Sequence, residues 1–173
     1  MNYREQLSRP LSKNFLDQLV QSILDQPEDL EIVYQLVFET DTSIAWRAAW
    51  ACEKVSELHS NWFLEKQVLE IMDYTINISH GGVHRGCLSI LRNLPLPSQI
   101  PVAFINGCFN WMISPKCPIA VQSLSMKLIF AICEKEPDLK FELKAYLENI
   151  DAECYSAGFN STRKNILKKL NIS

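Results

Sequence analysis

The 173-residue chain carries 17 Lys and Arg against 20 Asp and Glu, and 47% of its residues are hydrophobic and 21% charged. That balance suits a folded domain with its own core and excludes a disordered chain or one that depends on disulfides or a metal. A net charge of −3 and a pI near 5.6 argue against a general nucleic-acid binder, which usually carries a basic excess. The opening MNYREQLSRPLSKNF has no apolar segment, so no secretory leader is expected. No apolar run approaches about 18 residues, so no membrane span is expected. The six cysteines, Cys52, Cys87, Cys108, Cys117, Cys133 and Cys154, show no framework spacing. They read as free thiols in a reducing, cytoplasmic setting.

The elements read as helices throughout. Ser12 caps a first helix whose stripe is Phe15, Leu16, Leu19, Val20, Ile23 and Leu24. After a break at Pro27, Leu30, Val33, Leu36 and Val37 form a second. Asp41 or Thr42 caps a third, with Ile44, Ala45, Ala48, Ala49, Cys52 and Val55 inward. A fourth starts at Ser60-Asn61, carries Phe63, Leu64, Val68, Ile71, Met72 and Thr75, and breaks at Gly81-Gly82. The fifth holds Val83, Cys87, Leu88 and Leu91 and stops at Pro95-Leu96-Pro97. Ser98 caps a sixth with Val102, Ile105, Phe109 and Met112. Val121, Leu124, Leu128, Ile129, Ile132 and Cys133 mark the seventh. The eighth begins at Pro137-Asp138 with Leu139, Leu143, Leu147 and Ile150 inward, and the ninth follows Gly158 with Phe159, Ile166, Leu167 and Leu170. No segment alternates as a strand would. Short connections make successive helices antiparallel neighbours. The expected architecture is all-α, with about nine helices: one N-terminal helix plus four stacked hairpins, in a single domain over residues 1–173.

The second helices of three hairpins can be superposed as IAWRAAWACEKV from Ile44, GVHRGCLSILRN from Gly82 and IAVQSLSMKLIF from Ile119. Arg47, Arg85 and Gln122 then fall at one position, at offsets of 38 and 37 residues. Arg163 follows at a looser offset of 41. A period near 40 with two helices per unit resembles HEAT and armadillo repeats. The best unit, DTSIAWRAAWACEKV from Asp41, is similar to the HEAT pattern of an acidic turn, an arginine and an Ala-rich second helix. The resemblance spans roughly residues 27–171 and departs where Trp46 replaces a small aliphatic residue and Gln122 the arginine. It implies an α-α superhelix whose second helices line a concave face, where repeat families commonly bind partners.

Trp46 and Trp50 lie four residues apart and share a helix face beside the buried stripe. With Arg47 between them they have the composition of an interaction hot spot, or else the rings fill a seam between hairpins. The equivalent strip of the next unit adds His84 and Arg85. Trp46, Arg47, Trp50, His84 and Arg85 are therefore the candidate binding residues. Arg47 is expected to pair with Asp41 or Glu53. His80, His84 and Cys87 have metal-ligand types, but no fourth ligand is near, so no metal and no cofactor is expected. There is no phosphate loop, nucleophile elbow or zinc-protease helix, and no catalytic residue is assigned. The leading expectation is a non-catalytic protein- or peptide-binding scaffold. The alternative is a DNA-binding or DNA-glycosylase-related protein on the same architecture, which a continuous positive groove would favour.

Overall fold

A computed structural model of the chain describes residues 2–10 and 12–171. Among the described residues there are ten α-helices and no strand. They are α1 (Tyr3–Ser8), α2 (Lys13–Asp25), α3 (Asp29–Gln35), α4 (Thr42–Leu58), α5 (Glu65–Ile76), α6 (Gly81–Asn93), α7 (Val102–Ile113), α8 (Ile119–Ile132), α9 (Leu139–Asn149) and α10 (Ala157–Leu170). Three 3-10 turns, Leu36–Phe38, Ser60–Trp62 and Ala152–Cys154, fill connections. None of these helices is long and apolar enough to cross a membrane. The hairpins expected from the sequence form as the pairs α3/α4, α5/α6, α7/α8 and α9/α10.

The helix beyond the expected nine is α1. Asn2 caps it by accepting from the Glu5 amide, and it buries only Tyr3 and Leu7. Three other starts differ from the sequence expectation. Ser60–Trp62 is a 3-10 turn, and α5 begins at Glu65, where the Gln67 side chain reaches back to accept from the Leu64 amide at 2.8 Å. Ser98 does not start α7; the helix begins after Pro101, because a proline holds its preceding residue out of helical geometry. The ninth expected helix, α10, starts ahead of Gly158 and is capped by Ser156, which accepts from the Phe159 amide at 3.1 Å. Ser12 and Asp41 cap α2 and α4 as expected.

The chain forms two compact units that meet in sequence between Pro97 and Ser98. In the first, α4 is the central helix: α1, α2 and α3 pack on it, and α6 lies along it. Its small residues Ala45, Ala48, Ala49 and Ala51 are fully buried, with Ile44, Cys52 and Val55 completing the stripe. Alanine gives good helix propensity with little bulk, so four neighbours can approach one axis closely. Tyr34 is fully buried, and its hydroxyl donates to the Glu70 carboxylate at 2.8 Å and ties α3 to α5. In the second unit α8 packs between α7 and α10, and α9 packs on α10. Phe104, Met112, Leu128, Ile129, Leu143, Leu147 and Phe159 form its core.

Candidate interaction surface

The seam between α4 and α6 is built from the smallest side chains in the unit. A Cβ added at Gly86 would lie 2.7 Å from the Ala49 Cβ, so only glycine allows this helix spacing. One turn earlier, a Cβ at Gly82 would lie 3.1 Å from Cδ1 of Trp46, so the indole rests close against the α6 backbone. Trp46 is 39% exposed and Trp50 half-buried. Their rings are nearly parallel, 17° apart with centroids separated by 6.1 Å. Trp46, Trp50, Glu53, Gly82, Arg85 and Gly86 line a cleft of about 130 Å³. That is well below the roughly 300 Å³ at which pockets for small ligands begin. It has room for one protruding side chain, with an aromatic wall, one cation and one carboxylate at its edges.

Of the five residues expected to bind, the structure brings Trp46, Trp50 and Arg85 to this cleft. Arg47 and His84 do not line it. Arg47 pairs with neither Asp41 nor Glu53: its Nη1 donates to the Leu7 carbonyl at 2.8 Å, linking α4 to α1. Asp41 is already occupied as the α4 cap, accepting from the Ser43 amide at 2.9 Å. His84 is 6% exposed, and burial lowers its pKa from 6.5 to about 4, leaving a neutral imidazole at physiological pH. Its place on the buried stripe with Leu88 and Leu91 explains this. Arg85 is exposed and, among the described residues, meets no carboxylate at ion-pair distance.

A HEAT repeat domain model matches residues 3–170. The chain belongs to the HEAT repeat family. Neither a curated protein nor a solved structure matches it significantly. The repeat register gives the superposed position a shared task. Arg47 donates to the carbonyl of Leu7 in the last turn of α1. Gln122 Nε2 donates to the carbonyl of Ser114, directly after α7, at 2.7 Å. Arg163 Nε donates to the carbonyl of Leu147 in the last turn of α9. The last carbonyls of a helix have no partner within it and carry the negative end of its dipole, so an arginine or amide from a later helix satisfies them. In this HEAT series Arg85 is the exception.

Sequence reasoning missed Glu53 and Gly82 as cleft residues; Gly86, with Ala48 and Ala49, reads from the sequence as a small residue that lets adjacent helices approach closely, but not as part of a cleft. Two glycines at i and i+4 inside α6, facing the alanines of α4, were the available signal for a close helix approach. The metal-type cluster does not form: among the described residues no three His, Cys, Asp or Glu side chains converge on one point. His80 is instead the α6 cap, its Nδ1 accepting from the Val83 amide at 3.2 Å. Cys87 is buried, and that burial pushes its thiol up to about 12.

Proposed function

We propose that this HEAT protein is a non-catalytic scaffold that docks a partner protein or peptide on the second-helix surface formed by α4 and α6. The observation that carries the reading is the stacked Trp46–Trp50 pair beside Arg85, which is exposed and, among the described residues, meets no carboxylate at ion-pair distance. Tryptophan and arginine dominate binding hot spots because one side chain combines large contact area with a directional polar group. In this reading the partner seats an apolar side chain against the indoles and offers a carboxylate to Arg85. Arg47 and His84 serve from below, by fixing α4 to α1 and by filling the α6 stripe. The family match runs across both compact units, which supports treating residues 1–173 as one repeat domain in sequence.

A nucleic-acid reading draws on the same residues. Among the cleft's lining residues, however, Arg85 stands beside Glu53 rather than in a run of basic side chains. The test is affinity capture from the native host with wild-type protein, Trp46→Ala and Arg85→Glu, each first shown to melt like the parent. A protein captured by the wild type and lost by both variants supports the proposal. A capture set unchanged by both would overturn it, and retention of DNA in their place would favour the nucleic-acid reading.

A further inference from the structure

A second site lies away from the Trp46–Trp50 cleft, where the end of α3 and the Leu36–Phe38 turn meet α5. Gln35, Phe38, Glu70, Asp73, Tyr74 and Asn77 line a cavity of about 380 Å³. Phe38 and Tyr74 meet at 68° with centroids 4.8 Å apart, so their rings form two walls of a corner. On α5, Glu70, Asp73 and Tyr74 follow i, i+3 and i+4 spacing, which puts both carboxylates on the same helix face as one of those walls, and Asn77 caps the end of the helix. None of the six lining residues is a cation.

The Glu70 carboxylate is held in place. One oxygen accepts from the Tyr34 hydroxyl at 2.8 Å. Tyr34 stays a protonated donor, since burial and the Glu70 bond both raise its pKa. The other oxygen lies 3.5 Å from Lys66 Nζ, whose side chain is 83% exposed. That contact is loose and solvated, so it is readily displaced.

We propose that this corner binds an organic cation of side-chain size, an alkylammonium or guanidinium head. Aromatic faces attract such cations through the ring quadrupole, and carboxylates add charge and hydrogen-bond acceptors. A hard metal ion would find only two carboxylates here, whereas a ring corner suits a weakly hydrated cation. Lys66 reaches the Glu70 carboxylate from outside the cavity and would compete with the ligand for it.

The test is NMR titration of the full chain, following the ring signals of Phe38 and Tyr74. The probes are N-acetylarginine methylamide, N-acetyllysine methylamide and n-butylammonium, with N-acetylcitrulline methylamide as the neutral control. Cationic probes should shift both rings with dissociation constants on the order of millimolar, as expected for ligands this small. Citrulline should bind about tenfold more weakly. Asp73→Asn and Tyr74→Leu should each weaken binding about 2- to 5-fold. Lys66→Met should tighten it about 2-fold, an effect that unfolding could not imitate. A free amine as the natural ligand predicts that n-butylammonium matches the lysine probe; a side chain of a partner predicts that it binds more weakly, because it lacks the backbone. Equal binding of citrulline and arginine, or binding insensitive to both Asp73→Asn and Lys66→Met, would overturn the proposal.

Discussion

Replacing Gly86 with alanine tests the claim that the α4–α6 spacing depends on a missing methyl. In an ordinary helix interior the change stabilises by about 0.8–1.0 kcal/mol through helix propensity. Here the new Cβ would sit 2.7 Å from the Ala49 Cβ. Carbon atoms pack best at roughly 3.5–4.0 Å, so one helix must shift by about 1 Å. Neither atom is the end of a flexible side chain, and Ala49 is fully buried, so the strain falls on two backbones. Overpacking of this kind costs about 1–3 kcal/mol, here toward the upper end, which leaves a net loss of about 1–2 kcal/mol. For a chain of this size that lowers the melting temperature by roughly 2–8 °C. The double variant Gly86→Ala/Ala49→Gly moves the methyl across the seam and should recover most of the loss, giving a coupling energy of about 1 kcal/mol or more. A higher melting temperature for Gly86→Ala, or strict additivity in the cycle, would refute the close-approach argument and the account of why the cleft floor is made of glycine.

The remaining tests address other parts of the fold. His84 is neutral in the folded protein because burial lowers its pKa to about 4. Its contribution to stability is therefore complete above about pH 6.5 and is lost as pH falls toward 4, an effect on the order of 2–3 kcal/mol. Urea melts at pH 7, 5.5 and 4.5 should show His84→Gln losing less stability on acidification than the parent, and parallel curves would contradict the burial argument. Arg47→Met removes the donor to the Leu7 carbonyl. It should cost about 1–3 kcal/mol and raise hydrogen exchange first in α1, so unchanged exchange there would show that the bond holds nothing. All six thiols are free, with Cys154 exposed, Cys117 half-buried and the other four buried. Ellman's reagent should find Cys154 at once, Cys117 more slowly and six thiols only in denaturant; fast reaction of Cys52 or Cys108 would contradict the packing described.

The sequence made the long helices legible and concealed what depends on distant partners. The period-3.6 stripe of α4, from Ile44 to Val55, names six of the eight residues that the fold buries on this helix, leaving out Ala51 and Ser56. The repeat offset was visible because Arg47, Arg85 and Gln122 recur in register. The short α1 was not visible, since Tyr3 and Leu7 alone are too few apolar positions to define a stripe. Ser60 and Ser98 have the chemistry of helix caps, but capping preference is local, while the turn at Ser60–Trp62 and the proline at 101 decide where the helices begin. In the candidate site, Trp46 and Trp50 were legible from their i, i+4 spacing. His84 was grouped with Arg85 by repeat register, although one residue of helix rotation separates a buried face from an exposed one. The partner of Arg47, 40 residues away in the chain, has no local trace in the sequence at all.

A repeat protein carries its own internal control, because residues in one register face equivalent demands and a deviation needs a separate cause. Arg47, Gln122 and Arg163 each donate to a carbonyl at the end of another helix. Arg85 holds the same register and instead lines the tryptophan cleft in the open. If that difference reflects use and not accident, removing the donors should separate the two groups. Gln122→Ala leaves the Ser114 carbonyl without its donor and should cost about 1 kcal/mol or more, as should Arg47→Met. Arg85→Gln removes an exposed charge with no internal partner among the described residues, and it should move stability by no more than about 0.5 kcal/mol. Chemical melts of the three variants decide the matter without knowing the partner. A loss for Arg85→Gln as large as for Gln122→Ala would return Arg85 to the structural series and leave the tryptophan pair as the sole support for a binding surface on α4 and α6.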